Sequence, residues 1–213
     1  MAQAKICGLS TAQTVAAALD GGAAYLGFVF FDKSPRNIDP NLAARLAAPV
    51  RATQAKIVAL LVDPDDAEVD RIARILRPDF IQLHGKETPV RVQAVAARAG
   101  TPVIKVVPVS DASDIDAARA FDGAAEHLMF ETRPPADADR PGGLGVAFDW
   151  TLLQGRRFSR PHFLAGGLDP WNVAEALKLS GAPLADVSSG VERGPGLKDP
   201  TLITAFLEAV RRA

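Results

Sequence analysis

The sequence predicts an α/β fold in which residues 1–213 form a single (β/α)8 barrel domain. Eight short apolar runs recur along the chain, and a helical pattern follows most of them. The runs begin about 21 to 35 residues apart, the spacing that successive βα units require. An open doubly wound sheet is the alternative. No Gly-x-Gly-x-x-Gly fingerprint follows the first run, which favours the barrel.

The predicted strands are rich in β-branched and aromatic residues. They are Ala4–Cys7, Tyr25–Phe30, Ile57–Val62, Phe80–Leu83, Val103–Val107, His127–Glu131, His162–Leu164 and Leu184–Val187.

The predicted helices carry start signals, among them Asp65 and the Asp-Pro pairs at 39–40, 169–170 and 199–200. They span Thr11–Leu19, Pro40–Leu46, Asp65–Leu76, Pro89–Arg98, Ala112–Ala120, Pro170–Leu179 and Pro200–Val210. Two long connections, 31–38 and 132–145, follow the second and sixth strands. In a barrel they lie on the catalytic face, where long loops are often functional.

The composition excludes several classes of protein. The 24 basic and 25 acidic residues nearly cancel, so we expect neither nucleic acid nor a membrane as partner. A single cysteine fits a reducing cytoplasm, and the first residues do not form a signal peptide. The three histidines are scattered, so we expect no metal site.

The single cysteine, Cys7, lies where the first strand ends. Gly8 permits a sharp turn, and Ser10 is a candidate N-cap for the first helix. Cys7 is either a catalytic thiol or a buried small hydrophobe. Lys5 points to the same side of the strand. It either lowers the pKa of the thiol or forms an ion pair with Asp186.

Other strand ends carry groups that could share the mouth of the barrel with the thiol. Glu131 ends the sixth strand and Asp186 lies in the eighth, so a thiol and a carboxyl could act as base and acid. Asp63 is interpreted as a helix cap and His84 as a structural residue. The planar guanidinium of Arg36 suits an anion, but spacing alone favours a solvated surface residue.

Glycines follow the last two strands. Gly166 and Gly167 occur after the seventh strand, and Ser189 and Gly190 occur after the eighth. Loops at these positions often bind phosphate in barrels, because their backbone N–H groups approach an anion closely. The sequence therefore predicts a phosphorylated small-molecule substrate.

As an ordered set, several motifs along the whole chain resemble the phosphoribosylanthranilate isomerase family of tryptophan biosynthesis. The motifs are Lys5-Ile6-Cys7-Gly8, Gly27-Phe28-Val29-Phe30 with Ser34-Pro35-Arg36, Val62-Asp63-Pro64, Gln82-Leu83-His84-Gly85, Gly142-Gly143-x-Gly145 before Phe148-Asp149-Trp150, Ala165-Gly166-Gly167-Leu168, and Asp186-Val187-Ser188-Ser189-Gly190-Val191-Glu192.

The resemblance implies a (β/α)8 barrel of the ribulose-phosphate-binding type and an Amadori rearrangement without cofactor or metal. It implies that Cys7 is the general base and that Arg36 binds the anthranilate carboxylate. Asp186 corresponds to a residue near the ribose, and the two glycine loops correspond to the phosphate site. We expect a cytoplasmic enzyme that is a monomer or a homodimer.

The chain departs from the family pattern at three positions. The general acid is usually an aspartate, and the matching residue here is Glu131, whose carboxyl extends one methylene further. Leu144 replaces a small or polar residue, and Ala165 replaces a common serine.

These residues also leave two alternative functions open. A phosphate-binding barrel that has lost catalysis is supported only by the glutamate. A related isomerase of histidine biosynthesis would carry aspartates where this chain has Cys7 and Val107.

Overall fold

The structure is a computed structural model that describes residues 2–135, 142, 145 and 147–213. Eight parallel strands pair in chain order, and the eighth pairs with the first to close a barrel. This confirms the predicted fold class. The barrel strands are β1 Gln3–Cys7, β2 Tyr25–Phe30, β3 Lys56–Leu61, β4 Phe80–Leu83, β5 Val103–Val109, β6 His127–Thr132, β7 Phe163–Leu164 and β8 Leu184–Val187.

Among the residues that the structure describes, seven α-helices cover the barrel, and four of them begin at the predicted residue. They are α1 Ala12–Asp20, α2 Pro40–Leu46, α3 Asp66–Leu76, α4 Pro89–Ala99, α5 Ala112–Ala117, α6 Val173–Ser180 and α7 Pro200–Arg212. Short 3₁₀ helices span Pro49–Ala52, Ala118–Phe121, Trp150–Leu153 and Ser189–Val191.

Three predicted helix starts differ from the structure. Helix α3 begins at Asp66, and Asp65 is its N-cap. The other two differ for local reasons. The N-cap of α1 is Thr11 rather than Ser10, since the Thr11 hydroxyl accepts a hydrogen bond from the Thr14 N–H at 3.2 Å. Helix α6 begins three residues after Pro170. The Asp169 carboxylate accepts hydrogen bonds from the N–H groups of Trp171 and Asn172, which holds this segment in a turn.

A small hairpin between β8 and α7 was absent from the sequence prediction. Strands β9, Glu192–Gly194, and β10, Leu197–Lys198, pair in antiparallel fashion. Gly196 forms the turn with φ 78°, and a Cβ atom there would lie 2.4 Å from the Pro35 carbonyl oxygen. The hairpin therefore packs directly against the loop after β2.

The lower interior of the barrel is aromatic. Tyr25, Phe80, His127 and Phe163 form a ring of edge and tilted contacts with centroid separations of 5.1–5.8 Å. Above this layer the interior becomes polar, with Lys5, Gln82 and Asp186 all buried. The apolar layer closes the barrel from below, so any ligand must enter from the carboxyl end of the strands.

A buried ion pair fixes the loops after β3 and β4. The Lys105 ammonium lies 2.7 Å from Glu87 Oε2 and donates to the Gly85 carbonyl oxygen at 2.8 Å. The Glu87 carboxylate also accepts the N–H groups of Asp63 and Gly85, at 2.9 and 3.0 Å. Asp63 has φ 46°, and its side chain accepts from the Lys86 N–H. Asp63 thus ties the two loops together, and the cap of α3 is Asp65.

Within the described residues, no helix is long and apolar enough to cross a membrane.

The buried imidazole of His162 makes folding sensitive to acid. The ring packs between Phe130 and Phe158, at centroid distances of 5.7 and 4.6 Å, and burial lowers its pKa to about 4. Between this value and the ordinary value of 6.5, only the unfolded chain binds the proton. Stability is therefore lost as the pH falls through this window.

We expect His162→Phe, which keeps an aromatic ring at this position, to reduce that loss. Compared with the wild type, the free energy of unfolding should fall by about 2–3 kcal/mol less between about pH 7 and pH 4.5. Urea denaturation at both pH values measures the difference. An equal loss in the two proteins would show that His162 does not contribute to acid sensitivity.

Candidate active site

Two adjoining cavities open at the carboxyl end of the barrel strands. One is lined by Cys7, Arg36 and His84, together with apolar side chains from β2 and β3. The other lies between the loops that follow β6, β7 and β8. Four of the described residues line both cavities: Glu131, Gly142, Asp186 and Ser188. The thiol and the carboxyl predicted as base and acid therefore face the same cavity.

A buried ion pair lies beneath the thiol. Lys5 and Asp186 are register partners on β1 and β8, and their charged atoms are 2.7 Å apart. A Cβ atom on Gly27 would lie 3.1 Å from both the Lys5 Nζ and the Cys7 Sγ. The missing side chain on β2 thus leaves room for the ammonium and the thiol. The ion pair expected as one of two possibilities for Lys5 is present.

The charges around Cys7 do not lower the pKa of its thiol below the ordinary value. Burial raises this pKa, the Lys5 ammonium lowers it, and the Asp186 carboxylate raises it, with a net increase. Lys5 lowers the pKa of Cys7 as expected, but burial and Asp186 outweigh it. For Lys5 itself, burial opposes the charge, but Asp186 and Cys7 outweigh burial and raise its pKa. Burial also raises the pKa of Asp186, although Lys5 opposes this.

Glu131 is buried near the carboxyl end of β6 and is held from two sides. The His84 Nε2 lies 3.0 Å from its Oε2. A Cβ atom on Gly142 would lie 2.6 Å from both the Glu131 Oε1 and the His84 Cε1. His84 therefore contacts the carboxyl and lines the cavity, so it is more than the structural residue predicted. The hydrogen bond from its N–H to the Leu61 carbonyl, at 2.9 Å, anchors it to β3.

Arg36 is buried, and its guanidinium is held by residues of the β9–β10 hairpin. The Glu192 carboxylate accepts from Arg36 Nε at 2.7 Å and from Nη2 at 2.9 Å. Lys198 approaches the same carboxylate at 2.6 Å. Gly8 has φ 82°, and a Cβ atom there would lie 2.7 Å from the Arg36 Cδ. The surface interpretation of Arg36 is therefore wrong. The sequence prediction assigned no role to Glu192 or Lys198, since nothing in their spacing relates them to Arg36.

The glycine loops form the wall of the second cavity. Gly166 and Gly167 have φ values of 83° and 67°, and their N–H groups have no acceptor within the described part of the chain. A Cβ atom on Gly190 would lie 1.9 Å from the Leu168 carbonyl oxygen. The two loops therefore approach each other at backbone level, and Ser189 lies in the same wall. Such a wall of free backbone N–H groups can bind a phosphate.

Of the three positions that depart from the family pattern, Glu131 and Ala165 lie among the described residues. Ala165 is buried in the barrel interior, and its N–H donates to the Phe130 carbonyl oxygen at 2.8 Å. Leu144 and Gly143 lie outside the described residues, whereas Gly142 and Gly145 line the second cavity. No cluster of three or more potential metal ligands occurs among the residues that the structure describes.

The fold and the site together define a (β/α)8 barrel with glycine-rich loops after β7 and β8 and with titratable groups at the strand ends. The family model for N-(5′-phosphoribosyl)anthranilate isomerase matches residues 4–209. The chain therefore belongs to the N-(5′-phosphoribosyl)anthranilate isomerase family.

Individual relatives agree with this assignment over the full chain. The N-(5′-phosphoribosyl)anthranilate isomerase of Caulobacter sp. strain K31 is 67% identical over 212 residues, covering 100% of both chains. The crystal structure of the Thermotoga maritima phosphoribosylanthranilate isomerase has a TM-score of 0.88 and 32% identity, covering 100% of both chains. A second solved relative is a phosphoribosylanthranilate isomerase in complex with reduced 1-(o-carboxyphenylamino)-1-deoxyribulose 5-phosphate. Its TM-score is 0.83, with 29% identity and 100% coverage of both chains.

The single cysteine allows the charges around the thiol to be tested directly. We expect the Cys7 thiol to titrate above its ordinary value of 9.0. Lys5→Met removes a positive charge and should raise the pKa of Cys7 further, whereas Asp186→Asn removes a negative charge and should lower it. The pH dependence of the iodoacetamide reaction rate reports this pKa. Shifts in the same direction in both variants would contradict this account.

Proposed function

We propose that the protein is an N-(5′-phosphoribosyl)anthranilate isomerase of tryptophan biosynthesis. It converts N-(5′-phosphoribosyl)anthranilate into 1-(2-carboxyphenylamino)-1-deoxyribulose 5-phosphate by an Amadori rearrangement. The observation that carries this proposal is the pair of joined cavities, with a cationic site at one end and a glycine-rich anion site at the other. The thiol and a carboxyl lie at the cavity between these ends. The Caulobacter relative is named for this activity, and one solved relative binds a reduced form of this product.

The two ends of the cavity match the two anionic ends of the substrate. The phosphate binds to the backbone N–H groups of Gly166 and Gly167 and to the loop of Ser189 and Gly190. The anthranilate carboxylate binds to Arg36, and the aromatic ring packs on the apolar wall formed by β2 and β3. The ribose then spans the shared residues, with Asp186 nearby.

Glu131 is the general acid in the first half of the reaction. It protonates the ring oxygen of the furanose, the C1′–O bond breaks, and an iminium ion forms between C1′ and nitrogen. His84 orients the carboxyl, and Gly142 leaves space for a side chain one methylene longer than aspartate. This contact supports a productive position for the glutamate.

Cys7 is the general base in the second half. It removes the proton from C2′, which gives an enolamine that tautomerises to the ketone. Burial raises the pKa of the thiol in the free protein, but the iminium is a positive charge formed beside it and lowers that pKa. After the ring has opened, the thiol releases its own proton to solvent, and the resulting thiolate accepts the C2′ proton. C1′ is reduced as C2′ is oxidised, so the rearrangement is internal to the substrate.

The remaining expectations belong to the same proposal. The enzyme acts in the cytoplasm as a monomer or a homodimer. Light scattering of the purified protein measures its mass in solution, and a stable assembly larger than a dimer would contradict the proposal.

Turnover of N-(5′-phosphoribosyl)anthranilate, followed by the loss of its fluorescence, tests the proposed activity. We expect Cys7→Ala and Glu131→Gln each to lower kcat by about 10²–10⁴-fold with little change in KM, because each removes one proton transfer. Glu126→Gln, at a partly exposed position immediately before β6, is the control and should leave kcat unchanged. Near-normal turnover in either active-site variant would remove its assigned role. A wild type that binds the product without turnover would favour the barrel without catalysis.

Gly190→Ala tests the phosphate loops. The added methyl group meets the Leu168 carbonyl oxygen and pushes the two loops apart, so KM should rise about tenfold or more. Gly194→Ala is the matched control, since its Cβ would meet no atom closer than 3.9 Å. Equal KM values in the two variants would show that loop separation does not govern substrate binding.

A further inference from the structure

Glu192 is saturated by four hydrogen bonds. Its Oε1 accepts from Arg36 Nε and from the Lys198 ammonium, at 2.7 and 2.6 Å. Its Oε2 accepts from Arg36 Nη2 and from the Gly196 N–H, at 2.9 and 3.2 Å. Glu192 and Lys198 are nearly inaccessible to solvent, with exposed side-chain fractions of 3% and 1%. This arrangement is a built network rather than a surface ion pair.

The network leaves the Nη1 group of Arg36 available to a ligand. Glu192 takes Nε and Nη2, and Nη1 makes no hydrogen bond to the described residues. Arg36 lines the first cavity. A free arginine side chain loses considerable rotamer freedom on binding a ligand. Here the two hydrogen bonds to Glu192 already fix the guanidinium plane. Arg36 therefore loses no further rotamer freedom when a carboxylate binds.

Lys198 compensates for the negative charge of the Glu192 carboxylate. Without it, the carboxylate of Glu192 would cancel the charge of Arg36 and repel an anionic group on the substrate. The Lys198 ammonium uses its donors on Glu192 and on the carbonyl and hydroxyl oxygens of Ser188, at 2.9 and 3.2 Å. It therefore contributes charge without competing with Arg36 for the ligand. The three charges sum to plus one, which matches a single carboxylate.

We propose that Glu192 and Lys198 are positioning residues that determine specificity: they hold Arg36 to select N-phosphoribosyl amines that carry a carboxylate on the aromatic ring. This inference rests on the proposed function and deepens it. The β9–β10 hairpin, which packs against the loop carrying Arg36, is the element that delivers both residues.

Two substrates that differ only in the carboxylate distinguish a loss of Arg36 positioning from a general loss of activity. They are N-(5′-phosphoribosyl)anthranilate and N-(5′-phosphoribosyl)aniline, with products quantified by chromatography. The variants are Glu192→Gln and Lys198→Met, and Glu208→Gln on the exposed face of α7 is the matched control. Urea midpoints at the assay pH show that each variant is folded.

We expect Glu192→Gln and Lys198→Met to lower kcat/KM for the anthranilate substrate by about 10- to 100-fold, mainly through KM. For the aniline substrate the change should stay within about threefold, since that substrate does not use the guanidinium. Glu208→Gln should change neither value.

Equal losses on both substrates, or an unchanged or increased preference for the carboxylate in the variants, would overturn the inference. If the wild type converts neither amine, the proposed function itself fails and the inference falls with it. Wild-type turnover of the anthranilate substrate separates these two failures.

Discussion

The ion pair between Lys5 and Asp186 is the interaction on which the site depends. It joins the first and last strands of the barrel immediately below the thiol. Removing one partner from a buried pair costs about 3–5 kcal/mol, because the remaining charge is left without a counter-ion. The pair also fixes the electrostatic surroundings of Cys7, since its two charges act on the thiol in opposite directions. Closure of the barrel and the properties of the thiol are therefore coupled.

Similar buried ion pairs occur on both sides of the mouth of the barrel. Within the described part of the chain, a buried lysine pairs with a buried carboxylate at 2.6–2.7 Å in three places: Lys5 with Asp186, Lys105 with Glu87, and Lys198 with Glu192. Each pair lies behind a group that faces the cavity. The second fixes the loop of His84, which contacts Glu131, and the third holds Arg36. Rigid support of this kind is what precise placement of catalytic groups requires.

The fold could be predicted to a large extent because the signals for it are local. The apolar runs located all eight barrel strands, and the Asp-Pro signals located the starts of α2 and α7. They failed at α6, because an aspartate before a proline can equally close a turn with its side chain. The β9–β10 hairpin was missed because its strands are short and polar, with Leu197 as their one apolar side chain, so they form no apolar run.

The sequence alone determined which chemical groups reach the mouth of the barrel, because strand ends and glycine loops are local features and the topology assembles them. Cys7, Glu131, Asp186 and the glycines were identified in this way. Only the tertiary structure decided how these groups are held. Arg36 and Glu192 are 156 residues apart in the chain, and Lys5 and Asp186 are 181 apart. The pKa of a thiol depends on burial and on charges that such distant segments supply, and no pattern of spacing encodes that balance.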